Sequence, residues 1–370
     1  MNITMKISNV SYQNEFKRND REGGRNPVHH GFLLQKDRKQ MRSENIRNSL
    51  GNDEEETASP AILYWNPPSW FNKEHFLRQS HQGNLLCKDK CKVTFDRNRL
   101  DDADAVIFDI RPKAILPEKK IGQIWILSAM ESPEYSHNDM KGYDGKFNWT
   151  WTYRRDSDIL KMYGSLNVRE NPISSDDVSE ILKVKTGYVL WLASHCFTSS
   201  KREVFVRKLQ KYIDIDIFGR CGTMTCPKTN RTCTKSLLYE RYKFYLSFEN
   251  SMCRDYITEK LFRALKYNII PVARGGYNIS LFVPQDSYIN VKDAHVVGDL
   301  NDILLEVSGN TDIYAKYLNW KRFYESTFHI QFNWCDLCHR VVNKWKYQRL
   351  YTDIKQWWWG SNSSFGNACY

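Results

Sequence analysis

Residues 242–261 read YKFYLSFENSMCRDYITEKL. The run Phe244-Tyr245-Leu246-Ser247-Phe248 is short and apolar, and polar Glu249-Asn250-Ser251 closes it. That pattern predicts a buried strand. Ile257, Leu261 and Leu265 then recur at helical spacing, and Thr258 and Glu259 favour a helix start there. Ile269-Ile270-Pro271-Val272-Ala273 follows as a second strand and runs into Gly275-Gly276. Strand, helix and strand in this succession form a βαβ unit, which implies a parallel sheet covered by helices.

The same alternation extends upstream. Ala61-Ile62-Leu63-Tyr64-Trp65, Ala105-Val106-Ile107-Phe108, Ile124-Trp125-Ile126-Leu127 and Tyr188-Val189-Leu190-Trp191-Leu192 read as strands. Residues 201–212 read as a helix with Phe205, Leu209 and Tyr212 on one face, and 213–218 alternate as a strand does. Asn171-Pro172-Ile173-Ser174-Ser175-Asp176-Asp177 breaks the pattern. The expected fold class is therefore α/β with parallel sheets, divided into a first domain over 61–180 and a second over 181–345. A tail over 346–370 carries Trp357-Trp358-Trp359, which could dock on the body or bind a partner. Residues 1–60 hold ten basic, nine acidic and only three aromatic residues, so they are expected to be a flexible stem.

The whole-chain numbers agree. At 370 residues, two domains are the default. Apolar residues at 41% and charged residues at 26% are ordinary for a globular protein. No run approaches the ~18 apolar residues of a membrane-spanning helix. The net charge of +11 suits an anionic ligand, but basic and acidic residues are interspersed and no nucleic-acid module appears. Aromatics at 14% suit a flat or sugar-like ligand.

Ten cysteines and six Asn-x-Ser/Thr sequons, at Asn2, Asn9, Asn148, Asn230, Asn278 and Asn362, tilt the chain toward an oxidising, secretory compartment. No signal peptide is visible at the N-terminus, so an anchor is expected upstream or is missing from this form.

Beyond the end of the 244–248 strand, a helix N-terminus offers unpaired N–H groups that suit a diphosphate. Lys260 would add a cation and Glu259 an acceptor for sugar hydroxyls. Local physics allows equally that Thr258 and Glu259 only start the helix and that Lys260 is solvated. Three Asp-x-Asp triplets, at 102–104, 156–158 and 214–216, could hold a divalent cation, but several are expected by chance among 43 acidic residues. The third is read as mid-strand with both carboxylates toward solvent. Cys335-Asp336-Leu337-Cys338-His339 has the spacing of a haem or half-zinc motif, and a disulfide framework is the better reading because no second CxxC accompanies it. Cys196 with Cys221 is a possible bridge across the strand–helix–strand unit.

Tyr242 to Lys260 resembles the donor-site signature of the α1,3-fucosyltransferase family. The resemblance runs in order through Ala129-Met130-Glu131-Ser132-Pro133, Phe147 to Thr150, Tyr153 to Asp158, Tyr163-Gly164, Ser194-His195-Cys196 with Arg202, Asp216 to Gly219, Pro284 to Val291 and Cys335 to Cys338. It covers roughly 61–345. It departs after Pro271-Val272, where the Asn278 sequon sits beside a donor-side loop.

The resemblance implies the GT-B architecture, two Rossmann-like domains facing across a cleft, with GDP-fucose on the second and the acceptor against the first. It implies transfer of fucose with inversion to the 3-hydroxyl of N-acetylglucosamine in glycans of proteins or lipids. Glu131 would be the general base. Arg202 and Lys260 would contact the diphosphate, and Asn250 and Glu259 the donor. Ser194, Tyr245 and Tyr256 would be weaker donor contacts, and Tyr163 an acceptor contact. No cofactor is required, and a divalent metal would be stimulatory rather than catalytic. The family often bridges its CxxC to early cysteines, which makes Cys87 and Cys91 partners for Cys335 and Cys338. Golgi residence follows from the same resemblance. A catalytically silent glycan-binding relative and a transferase of another nucleotide sugar are the competing readings. Acceptor choice, antenna or N-glycan core, is not readable.

Overall fold

In the computed structural model of the chain, the described residues are 59–111, 114–136, 140–174, 176–225, 233, 236–276, 278–360 and 368–369. The expected stem lies outside them, apart from its last two residues. So do the sequons at Asn2, Asn9, Asn230 and Asn362.

The first sheet has six parallel strands: β1 (Ala61–Tyr64), β2 (Lys92–Thr94), β3 (Ala105–Asp109), β4 (Ile124–Ala129), β5 (Trp149–Thr152) and β6 (Ile159–Leu160), in the order β2-β1-β3-β4-β5-β6. Every residue of β3, β4 and β5 is buried, as parallel strands covered on both faces must be. Helix α1 (Lys73–Leu86) starts where Asn72 accepts the His75 N–H at 2.8 Å.

The second sheet is also parallel, in the order β12-β11-β10-β8-β9. Its strands are β8 (Gly187–Leu192), β9 (Ile215–Phe218), β10 (Tyr242–Phe248), β11 (Ile270–Arg274) and β12 (Ile289–Asn290). The deciding stretch thus forms the central strand β10. Between the sheets in sequence, β7 (Ser165–Val168) pairs antiparallel with β13 (Tyr324–Thr327). Helix α2 (Pro133–Ser136) follows β4, and α3 (Val178–Lys183) precedes β8 with Asp177 as its cap. Helix α4 (Arg202–Leu209) links β8 to β9, and α5 (Glu259–Lys266) links β10 to β11. Leu261, Phe262, Ala264 and Leu265 of α5 are buried, and the Thr258 side chain caps it. Two parallel α/β sheets with their own helices give the GT-B arrangement.

Strand order locates the crevices. In the second sheet the connections run to opposite sides of the β8–β10 pair, and in the first to opposite sides of β1 and β3. Ligands of open parallel sheets lie outside the C-terminal strand ends at such reversals.

One expectation needs correction. The helix read over 201–212 ends at Leu209, and Tyr212 is exposed rather than inward. Its buried face is instead made by Arg202, Glu203, Val206 and Leu209, because the turn beyond Leu209 opens to solvent. After β13 the chain returns to the first sheet. Helix α8 (Trp334–Val342), which follows α6 (Val297–Gly309) and α7 (Thr311–Asn319), packs on α1. Phe332, Trp334, Leu337 and Val341 join the core of the first sheet, because their apolar face has its complement there. The approach is close: a Cβ on Gly83 of α1 would lie 2.0 Å from Trp334 Cδ1. Of the two readings left open for the tail, residues 346–360 show docking on the body. Helix α9 (Ile354–Trp359) buries Ile354 and Trp358 against Phe108, Trp125 and Phe147, so the tryptophans dock on the body.

Candidate active site

The loop after β4 carries Met130-Glu131-Ser132 out of the first sheet. Glu131 is half-buried and accepts the Tyr256 hydroxyl at 3.3 Å. Tyr163 donates its hydroxyl to the Met130 carbonyl. The next residue fastens the loop to the second sheet: Ser132 Oγ lies 2.6 Å from Ser251 Oγ, both fully buried. Glu134 receives the Ser199 hydroxyl, and Tyr135 Oη accepts the Ser199 N–H at 3.3 Å. Tyr153, Tyr163 and Tyr256 stand ring against ring, with centroids 5.1–6.5 Å apart. Burial, followed by neighbouring acidic groups, pushes the Tyr163 and Tyr256 hydroxyls well above the ordinary tyrosine range, so both stay protonated donors.

The loop between β10 and α5 faces this one. It turns through Asp255 at φ 58°, a left-handed value uncommon for a non-glycine residue, and the Asp255 carboxylate holds the Arg155 N–H at 3.0 Å. Glu249 is buried, and its carboxylate accepts Thr258 N at 2.8 Å, Thr258 Oγ1 at 2.9 Å and Lys260 Nζ at 3.0 Å. Lys260 Nζ also reaches Thr258 Oγ1 at 2.7 Å and Glu259 Oε1 at 3.4 Å. Burial disfavours the ammonium, but the two carboxylates outweigh it and hold Lys260 above the usual lysine range. Glu259 is held low in turn, since Lys260 and Arg263 outweigh its burial.

Arg202 is buried at the start of α4. Its guanidinium donates to the Phe248 carbonyl at 2.8 Å and the His195 carbonyl at 3.2 Å, and its Nε has no hydrogen-bond partner among the described residues. The guanidinium expected to contact the diphosphate is thus bonded to the last residue of β10 and to the loop after β8. The buried Asn250 Oδ1 also has no partner, while the Asn250 carbonyl accepts Ser200 N at 3.1 Å. Ser194 is half-buried at the end of β8, and its carbonyl accepts Arg220 Nε. Tyr245 is buried in the apolar layer with Leu190, Phe218 and Ala264.

A cleft of about 620 Å³ opens beside these loops. Glu131, Tyr163 and Glu259 line it together, with Arg263. Trp70, Phe71, His75 and Arg78 line it from the start of α1, and Phe328, His329 and Phe332 from the segment after β13. Arg202, Asn250, Ser194, Tyr245, Tyr256 and Lys260 do not line this cleft; they lie at the β8–β10 reversal or behind it. Glu249 and the aromatic wall escape the sequence reading. Glu249 sits inside the decisive stretch, and Trp70, 46% exposed after Pro67-Pro68, was the legible sign of the wall.

Two family models match the chain in order. The model described as "Fucosyltransferase, N-terminal" matches residues 57–164, and that described as "Glycosyltransferase family 10 (fucosyltransferase) C-term" matches residues 182–357. This chain belongs to the glycosyltransferase family 10 fucosyltransferases. It is 34% identical to alpha-(1,3)-fucosyltransferase C of Drosophila melanogaster, over 70% of this chain and 66% of that protein. It is 36% identical to a 4-galactosyl-N-acetylglucosaminide 3-alpha-L-fucosyltransferase of Homo sapiens, over 78% of this chain and 80% of that one. A 3-galactosyl-N-acetylglucosaminide 4-alpha-L-fucosyltransferase of Bos taurus is 35% identical over 72% and 74%. The chain thus spans slightly less than two thirds of the fly relative. A crystal structure of an alpha1,3-fucosyltransferase with GDP-fucose aligns over 80% of this chain and 93% of its own, at 15% identity and TM-score 0.49.

Four disulfides of this family 10 chain fall among the described residues: Cys87–Cys335, Cys91–Cys338, Cys196–Cys221 and Cys253–Cys369. The last was not foreseen, and it fixes the chain end to the loop after β10. Several of the Asp-x-Asp carboxylates are paired with cations, while Asp214 is exposed. Asp104 pairs with Lys344, Asp156 with Arg154 and Asp158 with Arg349. Asp216, read as facing solvent, is half-buried and accepts the Tyr242 hydroxyl. Of the described sequons, Asn278 is exposed, whereas the Asn148 amide is bonded to Lys119, Trp125 and the Arg349 carbonyl. No helix among the described residues is long and apolar enough to cross a membrane.

Proposed function

We propose that this chain is an inverting fucosyltransferase that moves fucose from GDP-fucose to the 3-hydroxyl of N-acetylglucosamine in glycans of glycoproteins or glycolipids. The observation that carries the reading is that Glu131, from the first sheet, and Glu259, from the second, line one cleft, with the Lys260 ammonium against Glu259. A proton acceptor, a sugar-hydroxyl partner and a diphosphate partner thereby stand in sequence.

GDP-fucose lies at the β8–β10 reversal, on the lobe expected over 181–345, and the acceptor lies in the aromatic cleft of the lobe expected over 61–180. As the acceptor oxygen attacks the anomeric carbon, its proton passes to Glu131. The bond from that carbon to the diphosphate oxygen breaks on the opposite face, and GDP leaves. A positioned base of this kind contributes ~10²–10⁴ in rate. The Tyr256 hydroxyl holds the carboxylate that takes the proton, and Tyr163 fixes the backbone one residue before it. Charge growing on the diphosphate meets Lys260 and the N-terminus of α5. Arg202 adds its field from behind the 194–200 loop and fixes that loop's shape, while Asn250 presents its unpartnered Oδ1 to the donor. Ser194 borders the donor, and Tyr245 supports α5 from beneath. Trp70, Phe71 and Phe328 supply flat apolar faces suited to sugar rings. The disulfides fit an oxidising compartment, and the secretory pathway with Golgi residence is the matching location.

The relatives' names cover both 3- and 4-transfer, so linkage is the test that matters. The chain is incubated with GDP-fucose, EDTA and acceptors that present antenna or core N-acetylglucosamine, and the products are analysed by NMR. An α1,3-fucosylated product formed in EDTA is expected. A 1,4-linked product overturns the regiochemistry, and a chain that fails to bind GDP-fucose overturns the donor.

A further inference from the structure

We infer that Glu249 is a positioning residue of the transfer: it is the fixed counter-ion of Lys260, and Glu259 is the exchangeable one. The inference rests on the donor reading above.

The Lys260 ammonium has three donors, and three acceptors surround it: Thr258 Oγ1 at 2.7 Å, Glu249 Oε2 at 3.0 Å and Glu259 Oε1 at 3.4 Å. A diphosphate oxygen can bond to it only by displacing one of them. The three are not equally held. The Glu249 side chain is 3% exposed, and its carboxylate also accepts Thr258 N and Thr258 Oγ1. Its backbone is fastened too, with Glu249 N on the Arg274 carbonyl at 3.0 Å and Ser200 Oγ on the Glu249 carbonyl at 2.7 Å. Thr258 is fixed as the cap of α5. Glu259 makes the longest contact, its side chain is 35% exposed, and it lines the cleft.

Donor binding therefore swaps Glu259 for a phosphate oxygen, while Glu249 keeps the ammonium charged and in place. The swap frees Glu259 to accept a hydroxyl of the sugar at the moment that the sugar arrives. Binding of the diphosphate and recognition of the sugar are coupled through one lysine. A Glu249 carboxylate serving only the fold would leave neither of these steps dependent on its charge.

The test compares Glu249→Gln, Glu249→Asp, Glu259→Gln and Lys260→Gln in the full chain, measuring GDP affinity by calorimetry and kcat/KM for GDP-fucose against pH. Glu249→Gln keeps the shape and an acceptor for Thr258 N but removes the charge. It is expected to weaken GDP binding at least tenfold and to move the basic limb of the pH profile to lower pH. Glu249→Asp is expected to restore the position of that limb. Glu259→Gln is expected to retain GDP affinity within a few-fold while losing turnover with GDP-fucose. Adding Glu249→Gln to Lys260→Gln should weaken GDP binding little further, since the first acts through the second. A folded Glu249→Gln protein with wild-type GDP affinity and pH profile overturns the inference. So does full additivity with Lys260→Gln. Wild-type chain that does not bind GDP overturns the donor reading instead, and this inference with it.

Discussion

At the scale of single residues, the proposed chemistry depends on how few groups hold Glu131. Among the described residues, one hydroxyl, from Tyr256, reaches its carboxylate. A hydrogen bond to a charged group is worth about 1.5–3 kcal/mol, so Tyr256→Phe should lower kcat by roughly ten- to a hundredfold with a smaller change in acceptor KM. Steady-state kinetics on both substrates checks this. Periodicity finds the strand ends on which these residues sit, since Glu131 follows β4, and Asn250 and Glu259 flank the turn after β10; the role proposed for Glu131 comes from the family resemblance and not from the pattern. Arg202 shows the limit. Its type and position were readable, but its bonds to the Phe248 and His195 carbonyls depend on how two strand ends approach each other. Glu249 was overlooked for a related reason. A carboxylate beside Asn-Ser reads as a turn residue, and only the fold makes it buried.

At the scale of elements, the C-terminal helix braces the loop that carries Glu131. Trp358 Nε1 lies 3.3 Å from Ser136 Oγ, and Trp359 Nε1 donates to the Pro133 carbonyl at 3.1 Å. Trp358 is fully buried, so Trp358→Ala should cost about 3–5 kcal/mol, measured by denaturant unfolding. If the brace matters to the loop, the folded variant should also lose kcat. Unchanged kcat at a temperature where the variant is fully folded would make the helix purely structural. The sequence left the tryptophan run undecided because a run of three indoles has no period that reveals which ring is inward. Helix α8 was not read as a helix at all, and the partner of its apolar face lies some 250 residues away in sequence, on α1 and β1.

At the scale of the whole molecule, Cys87–Cys335 and Cys91–Cys338 tie the start of the first sheet to the returning C-terminal segment across 248 and 247 residues. Single bridges typically contribute about 2–4 kcal/mol, so Cys335→Ser with Cys338→Ser should lower the thermal midpoint by several degrees. Just beyond the edge strand β6 lies a buried Lys161, whose side chain reaches Ser128 Oγ of β4 at 2.9 Å with the buried Asp109 nearby. Burial pushes Lys161 down to about 8, partly offset by the Asp109 charge. Between pH 8 and ~10.4, the unfolded lysine binds a proton that the folded one does not, so stability should rise with pH across that window and level off above it. Lys161→Met with Asp109→Asn should lessen this rise, to which Lys119, Lys185 and Lys321, also held low by burial, contribute, and denaturant midpoints at several pH values would record the change.

In the proposed transfer, a carboxylate from the first sheet takes the proton of an acceptor held against a donor on the second. Single-turnover transfer from GDP-fucose by wild type and Glu131→Gln, with GDP-fucose affinity measured in parallel, tests it. A rate loss of ~10²–10⁴ with donor affinity kept is expected. Wild-type rate in the folded Glu131→Gln chain would contradict it.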